Sequence, residues 1–503
     1  MKKVLFFVTC FLITSSVFSQ DLESAVMFAN SETQGTARFK AMSGAFGALG
    51  GDMSGISINP AGAAIFNASH GSFTASTITN NADVRYGNTI NSDSSLKLDM
   101  DQIGAAFVFK SYKKNSSWNK LVISVFYEKL QNFNKEFSAI GITNSSVSSY
   151  FLQNANGLQL ANISALDGET LTQAYSAIGS LFGYQHQQAF LGYNSYILEP
   201  EVDEDQNTIY ESNIAPGSFN QQYDYLSLGN SGKLTANLAY QYGKNIYFGL
   251  NLNSHFIDYE KSTHMFEENS NPGSLINNVN FQNKLYTSGE GFSFQLGTIM
   301  KIFEKFRFGL SYESPRWLTL REETTQYLAT SSNVNNLSYL VNPSVVNIFP
   351  EYNLRTPGKI ITSIAYVMGK SGLISFDYSN KNYSNTSFDT GDTQLDFALN
   401  NSINSNLTTA KTYRVGGEIR KNNLSLRGGY KMEESPYKNT NMFGNLNGYS
   451  LGLGYNFGNT RIDLSYENNE RFVTQNLYNN GSLEPVLLDL NNSIFSFSLA
   501  VNL

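Results

Sequence analysis

A regular alternation of connection lengths constrains this chain more than any other feature. From about residue 69 onward the sequence reads as paired strands of two-residue periodicity. Short turns (Gly243-Lys244, Glu304-Lys305, Gly369-Lys370-Ser371, Asn422-Asn423, Gly458-Asn459) alternate with much longer polar loops. Short turns on one rim and long loops on the other are the arrangement of an antiparallel barrel closed in an outer membrane.

The strands carry the matching pattern. Tyr449, Leu451, Leu453, Tyr455 and Phe457 share one face, and Gly448, Ser450, Gly452, Gly454 and Asn456 the other. Phe495, Phe497, Leu499, Val501 and Leu503 alternate with Ser496, Ser498, Ala500 and Asn502 in the same way. The apolar face suits lipid and the small polar face a crowded lumen. The expected strands are 69–80, 102–112, 120–133, 232–242, 245–260, 283–302, 305–323, 353–369, 372–385, 409–421, 423–434, 447–457, 459–474 and 492–503. The fold expectation is therefore an all-β membrane protein, an antiparallel outer-membrane β-barrel of about 14 strands. Both termini then lie on the periplasmic side.

Composition agrees. The 36 Phe and 30 Tyr, against 2 Trp, suit aromatic girdles at the two membrane interfaces. A mean hydropathy of −0.27 is what alternating faces average to. The net charge of −7 argues against nucleic acid as a partner.

Residues 1–19 read as a signal peptide: Lys2 and Lys3, an apolar run from Val4 to Val17, and Val17-Phe18-Ser19 before a cut at Gln20. Cys10 falls inside it, so the mature chain is expected to have no disulfide, thiolate metal site or cysteine nucleophile.

Two segments depart from the strand pattern. Residues 134–231 are too long for a simple loop. Their centre has helical spacing at Leu171, Ala174, Tyr175, Ile178, Leu181 and Phe182, after start signals at Asp167 to Thr170. This insertion is expected to be extracellular and partly helical, with Leu171, Ile178 and Phe182 as candidate ligand contacts. Residues 20–67 are rich in Gly and Ala, yet carry Phe39, Met42, Phe46 and Leu49, which call for packing. They are expected to fold as a hatch, or plug, inside a barrel spanning 68–503, with Phe46 as a further candidate ligand contact.

The run Ala37-Arg38-Phe39, the stretch from Gly44 to Asp52, and Ile58-Asn59-Pro60-Ala61-Gly62 carry a resemblance. They look like the N-terminal hatch of the FadL/TodX family of outer-membrane transporters of hydrophobic compounds, in its Bacteroidota version. The family's Asn-Pro-Ala hallmark matches at Asn59, Pro60 and Ala61, followed by Gly62. Tyr312-Glu313-Ser314-Pro315 and Thr356-Pro357-Gly358 are also similar. The resemblance implies a barrel with an N-terminal hatch and passive uptake of long-chain fatty acids or hydrocarbons. The ligand would be caught near the extracellular loops, held inside the barrel, and released when the hatch shifts, often laterally through the wall. Implied partners are a hydrophobic small molecule, the lipid bilayer and lipopolysaccharide, and the barrel-assembly machinery during biogenesis, with the chain acting as a monomer. The same resemblance leaves open an accessory barrel for the type IX secretion system, or a haem-binding receptor using His186 or His255.

Nothing points to catalysis. The four His residues (His70, His186, His255, His264) have no metal-site spacing, so no enzyme activity, cofactor or metal is expected. Arg307, Glu313, Asp377, Arg414, Glu418, Arg420, Arg427, Lys431, Arg461, Asp463 and Glu467 are expected to face the lumen and pair there. An arginine such as Arg427 is the candidate to grip a ligand carboxylate through both its nitrogens.

Overall fold

A computed structural model describes residues 21–112, 117–333 and 337–502. The expected signal peptide and the terminal Leu503 lie outside these residues. The chain forms a closed antiparallel barrel of 14 strands. They are β1 (His70–Tyr86), β2 (Thr89–Lys110), β3 (Trp118–Asn132, continued by Lys135–Thr143), β4 (Phe219–Tyr242), β5 (Ile246–Glu268), β6 (Asn278–Ile302) and β7 (Phe306–Glu313, continued by Trp317–Ser332). They continue with β8 (Tyr352–Arg355 and Lys359–Val367), β9 (Gly372–Asn382), β10 (Thr409–Lys421), β11 (Leu424–Glu433), β12 (Leu446–Asn456), β13 (Thr460–Gln475) and β14 (Val486–Asn502). β14 closes the barrel on β1, with His70 opposite Asn502 and Arg85 opposite Leu487.

The outer face is an apolar belt no water-soluble sheet would present. Leu451, Leu453, Phe497, Ile364 and Leu296 are all exposed on it. Aromatic groups border it on both sides, which fixes the barrel's height in an outer membrane. At the short-turn rim Trp118 packs edge-on against Tyr240 and Tyr242, and Phe306 lies 4.9 Å from Tyr366. At the other boundary Tyr127 stacks on Phe256, and Tyr466 lies between Tyr449 and Phe495.

Ahead of the barrel the chain carries three short helices, α1 (Leu22–Ala29), α2 (Ala37–Lys40) and α3 (Gly55–Ile58), and a 3₁₀ turn at Pro60–Ile65. No strand forms between residues 21 and 69, as the scattered glycines lead one to expect.

Several expectations are corrected. Residues 81–101 are not a loop: β1 and β2 run on to a turn at Gly87-Asn88. Above the belt the alternation persists with polar residues outside, where Ser92 bonds Asp83 and Ser94 bonds Asn81 across the strands. The apolar residues of this stretch change sides, inward in β1 at Ala82, Val84 and Tyr86 and outward in β2 at Leu96, Leu98 and Met100, so it does not repeat the apolar-out pattern of the other strands. The insertion is shorter than 134–231, because Lys135–Thr143 and Phe219 onward are strand. Its helices are α4 (Ser148–Ala155), α5 (Leu171–Phe182) and α6 (Tyr184–Asn194), which pack with one another over an aromatic core. α5 starts on a Thr170–Gln173 capping box. A further helix, α7 (Thr393–Asn406), occupies the long loop before β10. β7 and β8 each break once, at Ser314-Pro315-Arg316 and Thr356-Pro357-Gly358, because a proline cannot donate to the ladder.

Candidate functional site

Residues 21–66, with α1, α2, α3 and the 3₁₀ turn, thread the lumen as a plug. Asn59 organises its lower part. The Asn59 Oδ1 accepts from Ala61 N–H at 3.1 Å and caps the turn that begins with Pro60, while its Nδ2 donates to Gly47 O (2.7 Å) and to Thr298 O of β6 (3.0 Å). The wall answers with amides. Asn237 Nδ2 donates to Pro60 O, Asn251 Nδ2 to Ile56 O, and Gln295 Nε2 to Ser57 O and Ile58 O. These bonds satisfy carbonyls that a short helix cannot pair for itself. The fit is close: a Cβ at Gly297 would lie 2.1 Å from Asn59 Oδ1. Gly62 meets the backbone of Gly50, so the residue after Asn-Pro-Ala must also be small.

A second set of contacts is ionic. Arg38 donates to Glu418 at 3.0 Å, and Arg427 bridges Glu418 (2.5 Å) and Asp463 (2.8 Å). Lys40 pairs with Asp101 at 2.7 Å, both buried. Asp101 reaches the lumen because the β1–β2 register shifts beside Thr74 and Ala75, so that consecutive Asp101 and Gln102 both point inward. Lys431 pairs with Glu467 at 2.6 Å and reaches Thr33 of the plug. Most of the expected lumen charges thus face inward and pair, chiefly with one another along the wall; the plug joins them through Arg38 at Glu418, Asp52 at Arg461, and the backbone of Leu49 and Gly47 at Arg307 and Asp377.

Above the plug lies a cavity of about 710 Å³. α1 (Leu22, Val26, Met27) and α7 (Leu395, Leu399) give it an apolar side, with Tyr437, Met442 and Phe443. Asn80, Asn81, Asn132, Asn469 and Asn492 give it an amide-lined side. α1 is held in place from below. Its buried face packs with Phe133, Tyr259, Leu320 and Tyr352, and Arg316 donates to Asn30 O just past its C-terminus, where the carbonyls lack helical partners. Enclosure within the lumen, then the neighbouring Asp21, hold the Glu23 carboxyl above its ordinary range, and enclosure does the same for Glu32, although both side chains open onto the cavity.

One flank of the cavity meets an interruption in the wall. The β2–β3 ladder runs only from Lys110–Lys120 to Gln102–Glu128. Above it β3 shifts register at Lys129/Gln131 and turns Phe133 inward onto Phe28 and Tyr259. The upper part of β3 then pairs with β4 alone. Side chains bridge the seam: Asp99 holds Lys129 and Asn132, and Asn91 donates to Ser138 O.

The candidate residues fall in several places. Asn59, Pro60, Ala61 and Gly62 form the base of the plug. Phe46 is fully buried beside Phe39 in a cluster under the cavity. Ile178 lies in the core of the insertion with Leu171 against it, while Phe182 is exposed and stacks on His186. Arg427 has its guanidinium occupied by two carboxylates. None of these residues lines the cavity. His255 is buried against Ser293 on the barrel wall, on a different element from His186; no cluster of metal-ligating side chains occurs among the described residues. Sequence reasoning misses the cavity residues of α1, although Asp21 before Leu22, Ala25, Val26 and Ala29 is a readable helix start with one apolar face.

No protein-family model and no curated protein matches the sequence. Solved structures do match the fold. A FadL homologue from Pseudomonas aeruginosa superposes with a TM-score of 0.57 at 11% identity, over 94% of this chain and 99% of that one. The Pseudomonas putida toluene transporter TodX gives 0.54 at 11%, over 94% and 99%. The monoaromatic hydrocarbon channel CymD gives 0.50 at 12%, over 94% and 98%. At such identities the likeness is one of fold: this chain is a plugged barrel of the FadL and TodX type.

Proposed function

We propose that this chain carries hydrophobic small molecules, of the class of long-chain fatty acids, hydrocarbons or acylated compounds, passively into the outer membrane from its long-loop rim, which faces outward. The carrying observation is the cavity itself, closed below by the plug and flanked by the β2–β3 seam. A general porin needs an open aqueous lumen, and here the lumen is filled by residues 21–66. A ligand in the cavity has two ways out. Through the floor it must break the Asn59, Asn237, Asn251 and Gln295 bonds and the ion pairs at once. Through the seam no backbone ladder has to open, although the bridges at Asp99, Asn91, Asp93 and Asn80 and the packing of Val84 and Tyr86 near Phe137 must part, and this lateral route is the one we favour. The fold shared with TodX and CymD supports the substrate class.

On this proposal Phe182 offers an exposed apolar first contact, and Leu171 and Ile178 fix its helix. Phe46, Arg427 and the Asn59-to-Gly62 motif hold the plug. The chain works as a monomer among lipids and lipopolysaccharide after insertion by the barrel-assembly machinery.

The test is uptake of radiolabelled palmitate, hexadecane and 1-monopalmitoylglycerol by cells lacking a transporter of their own. Expression of this barrel raises uptake of at least one of them severalfold, and Asn59→Ala changes that rate. Uptake no higher than in cells without the barrel, for all three compounds, overturns the proposal.

A further inference from the structure

The cavity is roofed unevenly. On β1, β3, β4 and β14 its lining stops where the core of the helical insertion begins. Ile78 and Asn80 line the cavity, while Val84 and Tyr86, higher on the same inward face, are packed in that core. Lys135 gives way in the same fashion to Phe137, Ser227 to Tyr223, and Asn492 to Leu488. With α4, α5 and α6 these side chains form one close-packed apolar mass, and none of the described residues 144–218 lines the cavity. A ligand passing down through this mass would have to open a core of buried side chains.

The flank of β11 and β12 is covered differently. β11 ends at Glu433 and β12 begins at Leu446, and both residues line the cavity, so the wall stops there at the cavity's own level. What stands above it is α7, the β11–β12 loop with Met442 and Phe443, and the β13–β14 loop with Asn476 and Asn479. Leu395, Leu399 and Ser402 fall at i, i+4 and i+7 on one face of α7, and that face looks into the cavity. The two leucines are half-buried, whereas Ile403 beside them is fully buried in the cluster around α1. Asn476 and Asn479 are exposed and line the cavity at the same time, which places its mouth beside them. The frame is fastened from outside. Lys438 donates to Asn404 O and Asn406 O at the C-terminal end of α7, and Gly481 N–H donates to Gln153 of the insertion.

We propose that the hydrophobic substrate enters the cavity sideways, through a portal framed by α7, the β11–β12 loop and the β13–β14 loop, while the helical insertion stays shut as an upper plug. This rests on the uptake proposed above and specifies its entrance. Leu395, Leu399, Met442 and Phe443 give the portal apolar sides along which a hydrocarbon chain leaves water step by step. The portal and the β2–β3 seam lie on different flanks, separated by β14 and β1, so the cavity is a passage between them.

The test uses the full chain in the uptake assay above, with single cysteines in a sequence that has none after Cys10. Asn476→Cys and Ser402→Cys lie at the portal, and Asp203→Cys is exposed on the insertion. Each is labelled on whole cells with a polyethylene glycol maleimide too large to enter the cavity, and attachment is read as a gel shift. The label is expected to lower uptake at least fivefold at either portal position and less than twofold at Asp203→Cys. Portal labels that leave uptake unchanged, or an equal loss from the label at Asp203→Cys, overturn the portal and leave the uptake proposal intact. Portal cysteines that the maleimide cannot reach overturn it as well, since a mouth open to ligand is open to the reagent. Uptake no higher than without the barrel, before any labelling, overturns both.

Discussion

The hydroxyl of Ser43, in the plug, lies 2.8 Å from that of Ser450 on β12, both fully buried. The two positions are separated by 407 residues in sequence and join plug to wall at one point. With no cysteine after Cys10, Ser43→Cys/Ser450→Cys offers a single reversible lock. On the lateral route favoured above the plug stays in place, so oxidising this pair is expected to leave uptake unchanged. A more than tenfold loss, restored by a reductant, would mean that the plug must shift during transport instead.

Gly297 sits where the wall touches Asn59. A Gly297→Val side chain cannot fit, because its first carbon would lie 2.1 Å from Asn59 Oδ1 and 2.7 Å from Pro60 Cδ. The expected outcome is a folded barrel with a displaced plug. In the Ser43→Cys/Ser450→Cys background the cross-link yield should fall to less than half, read on a non-reducing gel.

Glu418 lies between Arg38 and Arg427, with all three side chains buried. Removing one member of such a buried group costs roughly 3–5 kcal/mol, because the remaining charges lose their partner. Glu418→Ala is therefore expected to speed hydrogen exchange of the plug amides near Arg38 by two orders of magnitude or more, while amides in β4 and β5 keep their protection.

The anchoring of α1 should depend on pH. Glu23 and Glu32 have carboxyls held above the ordinary value of 4.5 by enclosure within the lumen, although both side chains open onto the cavity. An acid whose folded value is raised contributes stability below its unfolded value, and that contribution is lost as pH rises through the folded value. Docking of residues 21–34 is thus firmest at about pH 4.5 and below, and loosens upward from there. A spin label at Met27→Cys, a cavity-lining position, should give a more mobile spectrum at pH 8 than at pH 5. The opposite trend would contradict the assignment of these two carboxyls.

The barrel was legible because its physics is local. Each strand writes lipid-facing and lumen-facing residues at a period of two, as in Tyr449 to Phe457, and each short turn carries its own Gly or Asn. Gly243, Gly369, Asn422 and Gly458 all adopt the positive φ those turns need. The plug was legible in outline from its small residues and its Asn-Pro-Ala motif. The upper halves of β1 and β2 were not, because the apolar face turns inward in β1 (Ala82, Val84, Tyr86) while β2 keeps it outward (Leu96, Leu98, Met100) amid Ser, Asn and Asp.

The cavity belongs to the other kind of information. It is assembled from α1, α7 and strands β1, β3, β4, β11, β12, β13 and β14, none of which signals a site alone. Arg427 looked like a ligand-binding group in one dimension and is a structural ion partner in three, since Glu418 and Asp463 reach it first. The β2–β3 seam likewise follows from a bulge at Asp101 and the inward turn of Phe133 onto α1, contacts between segments about a hundred residues apart. The sequence by itself determined the closed barrel, its strand number and its plug, since periodicity and turn chemistry act between neighbours. Only the tertiary structure decided which charges pair, where the wall is interrupted and what the lumen can hold, since those depend on which distant side chains meet first.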